Sequence, residues 1–124
     1  QLTAFVSSCV SHERLRPEFD FDCLLEHAGD RQHMLEVLLR QSESDKADLE
    51  KALATGDREA MRSVSHRMVS AWSFLEADRL IDRLRNVLLD ETAEDRIVRD
   101  EVERLVYATA CLIEDVRTLI GMEK

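Results

Sequence analysis

The stretch VRDEVERLVYATACLIEDVRTL, residues 98–119, decides the fold class. Val98, Val102, Leu105, Thr109, Leu112, Val116 and Leu119 recur in alternating steps of four and three. A helix turns once in about 3.6 residues, so these side chains share one stripe. That alternation is the seam which antiparallel helices of a bundle bury against each other.

Working upstream, the chain offers partners for that seam. Ala77, Leu80, Ile81, Leu84 and Leu88 outline a helix that ends at DETAED, residues 90–95. There Thr92, with Asp95 three residues on, resembles a capping box. Arg58 to Leu75 reads as another helix, and Asp30 to about Ala54 as the longest of the first half. At about 1.5 Å per residue that longest helix would run roughly 37 Å. Its expected seam is Met34, Leu38, Gln41, Asp45, Leu49 and Ala52 or Leu53, apolar at both ends and polar in the middle. Asp30 and Asp57 stand where an N-cap is needed, and Gly56 where a left-handed stop is needed. DFDCLLEHAGD, residues 20–30, reads as a short helix with Asp20 or Asp22 at its start and Gly29 as a left-handed end. Leu2, Phe5, Val6, Cys9 and Val10 also follow helical spacing, and Pro17 ends that pattern.

Composition agrees with helices. Three glycines and one proline in 124 residues leave few places to turn tightly, and an all-β chain needs many. The expected fold is all-α: an antiparallel four-helix bundle over 17–124, with one or more short N-terminal helices. Residues 1–16 form a linker or an extra helix. A net charge of −9 argues against nucleic acid and anionic membrane, both of which select clustered Lys and Arg. Cys9, Cys23 and Cys111 are odd in number and widely spaced, which fits reduced thiols and a cytoplasmic setting. No apolar run approaches the roughly 20 residues of a membrane span. The chain starts at Gln1 and enters a helical pattern almost at once, as a domain of a longer protein would.

SHRMVSAWSFLEADRL, residues 65–80, carries the chemistry. With His66 at zero and about 100° per residue, Val64, Met68, Ala71 and Leu75 fall opposite it, between about 140° and 200°. Arg62, Ser63, Val69, Ser70 and Ser73 lie within about 60° of the histidine, and Arg67 at about 100°. His66 is therefore expected to face outward at mid-helix among short side chains. Trp72 reads as packing on the flank of the core stripe, and His12, His27 and His33 have no comparable setting.

A lone histidine on a helix surface is in general no more than surface. Three chemistries are conceivable for this one. A metal site is disfavoured, because no His, Cys, Asp or Glu stands three or four residues from His66. An inward metal-binding bundle needs Glu and His at i, i+3, but Glu26 is followed by Gly29 and Glu114 by Arg117. Hydrolysis is disfavoured too, since a convex helix face excludes no water and no G-x-S-x-G elbow occurs. Phosphoryl acceptance fits. Imidazole titrates near ~6.5, so near neutrality much of it carries a nucleophilic lone pair. Short neighbours leave room for a tetrahedral group, and nearby cations favour its oxygens.

On these residues the chain resembles the histidine-containing phosphotransfer (HPt) domains of multistep two-component phosphorelays. Their signature is approximately A-H-x-L-K-G-[SA]-[SA]-x-x-[LIV]-G-[AL]-x-x-L. His66 falls on the phosphoacceptor, Met68 on the apolar position and Ser70 on a small position. Ala71, Leu75, Ala77 and Leu80 match the remaining small and apolar positions. The segment from Phe19 to Met68 looks like the family's lead-in. Two departures stand out. The family's lysine is Val69, so Arg62 or Arg67 would have to supply the cation, and the family's glycine at the turn is Glu76.

The resemblance implies that His66 takes a phosphoryl group from a receiver-domain aspartate and passes it to another receiver. Arg62, Ser63, Arg67, Val69, Ser70 and Ser73 would neighbour the phosphate or dock the partner. It implies no kinase activity in this chain and no cofactor or metal of its own, with Mg²⁺ held by the receiver. A cytoplasmic monomer is expected, either the cytosolic end of a membrane-bound hybrid sensor kinase or a free-standing adaptor. The alternative is a degenerate helical module that binds receivers without being phosphorylated.

Overall fold

Asp30 and Asp57 set where the two longest helices of the first half begin. In the computed structural model, which describes residues 17–26 and 28–123, Asp30 accepts the His33 amide and Asp57 the Ala60 amide, each at 3.0 Å. Each bond satisfies a first-turn amide that the helix itself leaves unpaired, worth about 1 kcal/mol. The helices in chain order are α1 (Asp22–Glu26), α2 (Arg31–Thr55), α3 (Arg58–Phe74), α4 (Asp78–Leu89) and α5 (Asp95–Glu123). No strand occurs among the described residues. The expected helix through Leu2 to Val10, and the 1–16 boundary, lie outside the described residues.

Helices α2 and α3 end in the same way. Gly56 takes φ 66°, and its amide reaches Leu53 O at 3.3 Å while the Asp57 amide reaches Ala52 O at 3.0 Å. Glu76 takes φ 56°, with its amide on Ser73 O at 3.1 Å and the Ala77 amide on Trp72 O at 2.9 Å. Both are Schellman turns, in which a left-handed residue lets two amides return to the last carbonyls of the helix. Gly56 adopts that conformation without steric cost, whereas Glu76 has a Cβ and is strained there. The turn expected of the family's glycine is thus made by a glutamate.

Each of α2, α3, α4 and α5 packs on two others: α2 on α3 and α5, and α4 on α3 and α5. Contacts between them give their directions. Glu43 pairs with Arg117 at 2.6 Å, while Leu53 O accepts from Arg99 at 3.0 Å, so α2 and α5 run oppositely. Arg62 reaches Leu88 O and Arg58 reaches Asp90 O, so α3 and α4 do too. The core between them is Leu35, Leu49, Met61, Met68, Ile81 and Leu112, with their buried neighbours.

Several expectations needed correction. In α2 the inward residues are Leu35, Leu38, Ser42, Asp45, Leu49 and Ala52. Leu35 and Ser42 replace Met34 and Gln41, because even three–four alternation keeps the stripe in phase with both neighbouring helices. Asp45 is buried as expected. In α3 the inward stripe includes Trp72, 2 % exposed, and Ala71 is only half-buried. Leu80 is exposed, and Leu119 is half-buried. Gly29 does not take the left-handed conformation. The Thr92–Asp95 capping box does not form, because the Thr92 hydroxyl and amide both donate to Asp90 instead. That double donation holds the Asp90 carboxyl below the usual carboxylate range, first through the hydroxyl and then through the amide.

The segment before α1 is tied to the end of α3. The Phe19 ring meets Trp72 edge-on at 5.3 Å, and the Asp20 amide donates to Leu75 O at 3.1 Å. Asp20, rather than Asp22, then caps α1, accepting the Asp22 amide at 2.9 Å.

Candidate functional site

His66 lies in the middle of α3, opposite the buried stripe of Met61, Val64, Met68 and Trp72, and is exposed. The wheel therefore placed its outward direction correctly. The imidazole makes no hydrogen bond or ion pair among the described residues. It lines a shallow depression together with Glu59, Arg62, Ser63, Arg85 and Leu89. Glu59, Arg62 and Ser63 come from α3, and Arg85 and Leu89 from α4.

Arg62 is near His66 as expected, but its guanidinium is engaged. Nη1 donates to Glu59 Oε2 at 2.8 Å, and Nη2 to Leu88 O at 2.9 Å. Its Nε is buried and has no acceptor. One turn earlier, Arg58 donates to Ala93 O and Asp90 O, each at 3.2 Å. The two arginines thus hold carbonyls at and beyond the end of α4, where a helix presents unpaired acceptors and partial negative charge. They fix α4 against α3, and with it the depression beside His66.

Arg67 follows His66 in the chain but turns toward α2. It reaches Asp45 Oδ1 through Nε at 2.9 Å and Nη2 at 2.7 Å, and Asp48 Oδ2 at 2.7 Å. Asp45 also accepts from Gln41 Nε2 at 3.1 Å. The Asp45 and Asp48 hydrogen bonds hold the Arg67 guanidinium above its usual range. Arg67 is thereby withdrawn from the histidine, contrary to its expected place among the phosphate's neighbours.

The remaining expected residues divide. Ser63 shares the depression. Ser70 and Ser73 are exposed but lie further along α3, outside it. Val69 is half-buried and packs against the core. Ser65, beside His66, is fully buried, its hydroxyl donating to Arg62 O at 2.9 Å.

Three residues of the depression were missed. Glu59 was within reach of the wheel, since seven residues bring a helix back to within about 20°. Arg85 and Leu89 each follow an inward leucine of α4, Leu84 and Leu88. Which side of α4 would meet α3 depends on how the two helices pack.

Two guanidinium groups line the depression with His66, and each has an acidic neighbour, Glu59 for Arg62 at 2.8 Å and Asp82 for Arg85 at 3.9 Å. A nucleophilic imidazole beside cations, open to a partner, suits group transfer better than chemistry that must exclude water. No group of three or more His, Cys, Asp or Glu among the described residues could hold a metal ion. No helix among them is long and apolar enough to cross a membrane. Compared with protein-family models, with curated proteins and with solved structures, the chain finds no match.

Proposed function

We propose that this chain is a histidine phosphotransfer domain built as an antiparallel four-helix bundle, α2 to α5, with α1 as an N-terminal addition. One observation carries the proposal: His66 is exposed at mid-helix, makes no hydrogen bond or ion pair among the described residues, and shares a depression with two arginines. In the reaction, the His66 lone pair attacks the phosphorus of an aspartyl phosphate on a receiver domain. The N–P bond forms as the P–O bond to the aspartate breaks, and the carboxylate leaves with the bonding pair. The reverse step on a second receiver passes the group on. The receiver supplies Mg²⁺ and most of the charge neutralisation, and this chain supplies the nucleophile, its access and the nearby guanidinium groups.

Incubation with a ³²P-labelled phospho-receiver tests this. Wild type should gain an acid-labile, alkali-stable label that His66→Gln does not gain. Label retained in His66→Gln would overturn the role of His66. Val69 favours a second reading, because it packs on the core where the family carries an amine. In that reading the domain binds the receiver with no label in wild type.

A further inference from the structure

We infer, resting on the phosphotransfer reading, that Arg85 of α4 is the cation that holds the oxygens of the phosphoryl group on His66. Four positions could supply such a cation, and three are committed elsewhere. Val69 has no charge and packs against the core. Arg67 spends its fork on Asp45 and Asp48 across the α2–α3 contact. Arg62 spends both terminal nitrogens on Glu59 and Leu88 O, and its Nε is buried. Moving either arginine would leave a carboxylate or a helix-end carbonyl without its donor.

Arg85 is different. It lines the depression with His66, and its side chain is partly exposed. Its one ion contact among the described residues is to Asp82, at 3.9 Å, too long for a hydrogen bond, and the Asp82 side chain is 57 % exposed. Such an exposed pair within one helix contributes little and is readily exchanged. A phosphoryl dianion offers twice the charge and oxygens spaced for a planar guanidinium, which binds phosphate in a bidentate manner. The cation lost from α3 at Val69 is thus replaced from the neighbouring helix. Arg58 and Arg62 make this possible by pinning α4 where Arg85 faces the histidine.

The test uses phosphoramidate as a small donor, so that no receiver surface intervenes. Nucleophilic attack by His66 breaks the P–N bond of phosphoramidate, and ammonia leaves carrying a proton from solvent. Phosphohistidine formation is followed by ³¹P NMR in wild type, Arg85→Ala, Arg85→Lys, Arg83→Ala and Arg85→Ala with Val69→Lys. Arg83 is the control, because it sits on α4 but pairs with Glu101 of α5 at 3.2 Å. Formation should slow about tenfold in Arg85→Ala, a modest loss for a donor at an open site. It should recover in part with Lys at 85 or at 69, and stay unchanged in Arg83→Ala. The ³¹P pH titration supplies a second readout: losing Arg85 should raise the pH at which the bound phosphoryl becomes a dianion. Unchanged rate and titration in Arg85→Ala, with wild type labelled, would overturn the role of Arg85 alone. No label on wild type from either phosphoramidate or phospho-receiver would overturn the phosphotransfer reading itself.

Discussion

Arg67 and Asp45 are joined by two hydrogen bonds to a single oxygen, Asp45 Oδ1, at 2.9 and 2.7 Å. The carboxylate side chain is 6 % exposed and the guanidinium side chain 45 %, so the pair is buried at one end only. This asymmetry has consequences for stability. It also explains why the arginine beside the candidate nucleophile does not serve it.

Removing the exposed partner should cost more than removing the buried one. Arg67→Ala strands a buried carboxylate with Gln41 as its remaining donor, whereas Asp45→Asn leaves a half-exposed guanidinium with Asp48 and water. We expect roughly 2 kcal/mol for Arg67→Ala, below the range for fully buried pairs because the arginine is half in water, and about 1 kcal/mol for Asp45→Asn. Urea denaturation checks the order. An equal or reversed cost would mean that the pair is not desolvated.

Glu76 and Gly56 hold equivalent positions in two Schellman turns, so substitutions at them should have opposite signs. Glu76→Gly removes left-handed strain, partly offset by the freer unfolded chain, and should stabilise by about 0.5–1 kcal/mol. Gly56→Ala introduces that strain and should cost about 1 kcal/mol. Chemical denaturation midpoints measure both.

Phe19→Ala should lower stability by about 1–2 kcal/mol through its lost contact with Trp72. Amide exchange should rise at Asp20, whose amide is held on Leu75 O at 3.1 Å. Faster exchange confined to α5 would place the effect elsewhere.

The Asp90 carboxyl should titrate below an ordinary aspartate in a ¹³C NMR pH series. Thr92→Val, which deletes the hydroxyl donor, should move it upward. A carboxyl whose folded value is depressed contributes stability above its unfolded value of about 3.9 and loses it as pH falls through the folded value. Acidification below pH ~4 should therefore shrink the stability difference between wild type and Thr92→Val, which vanishes once the pH is below the folded value.

His66→Gln should leave stability within about 0.5 kcal/mol of wild type, since the imidazole is exposed and makes no hydrogen bond or ion pair among the described residues. Thermal melting checks this, and it makes any loss of labelling in that variant a loss of chemistry rather than of fold.

Much of the architecture was legible in the chain. Asp30, Asp57 and Gly56 act locally, through bonds to residues three or four positions away, so their roles could be read directly. The Val98–Val116 seam and the outward direction of His66 follow from helical periodicity alone. Local signals failed where a residue had a better partner close by, as when Thr92 bonded Asp90 instead of capping α5. They failed again where phase mattered, as with Leu35 and Ser42 against Met34 and Gln41.

By itself, then, the sequence determined a set of helices, the ends marked by Asp30, Gly56 and Asp57, and one histidine facing outward among short side chains. Only the tertiary structure decided which cation is available to that histidine. The hydrogen bonds of a guanidinium are few and directional, and it spends them on whatever acceptors packing brings within reach. Packing gave Arg67 the carboxylates of α2 and Arg62 the end of α4. It left Arg85, nineteen residues along the chain from His66, facing the same depression with its fork unspent.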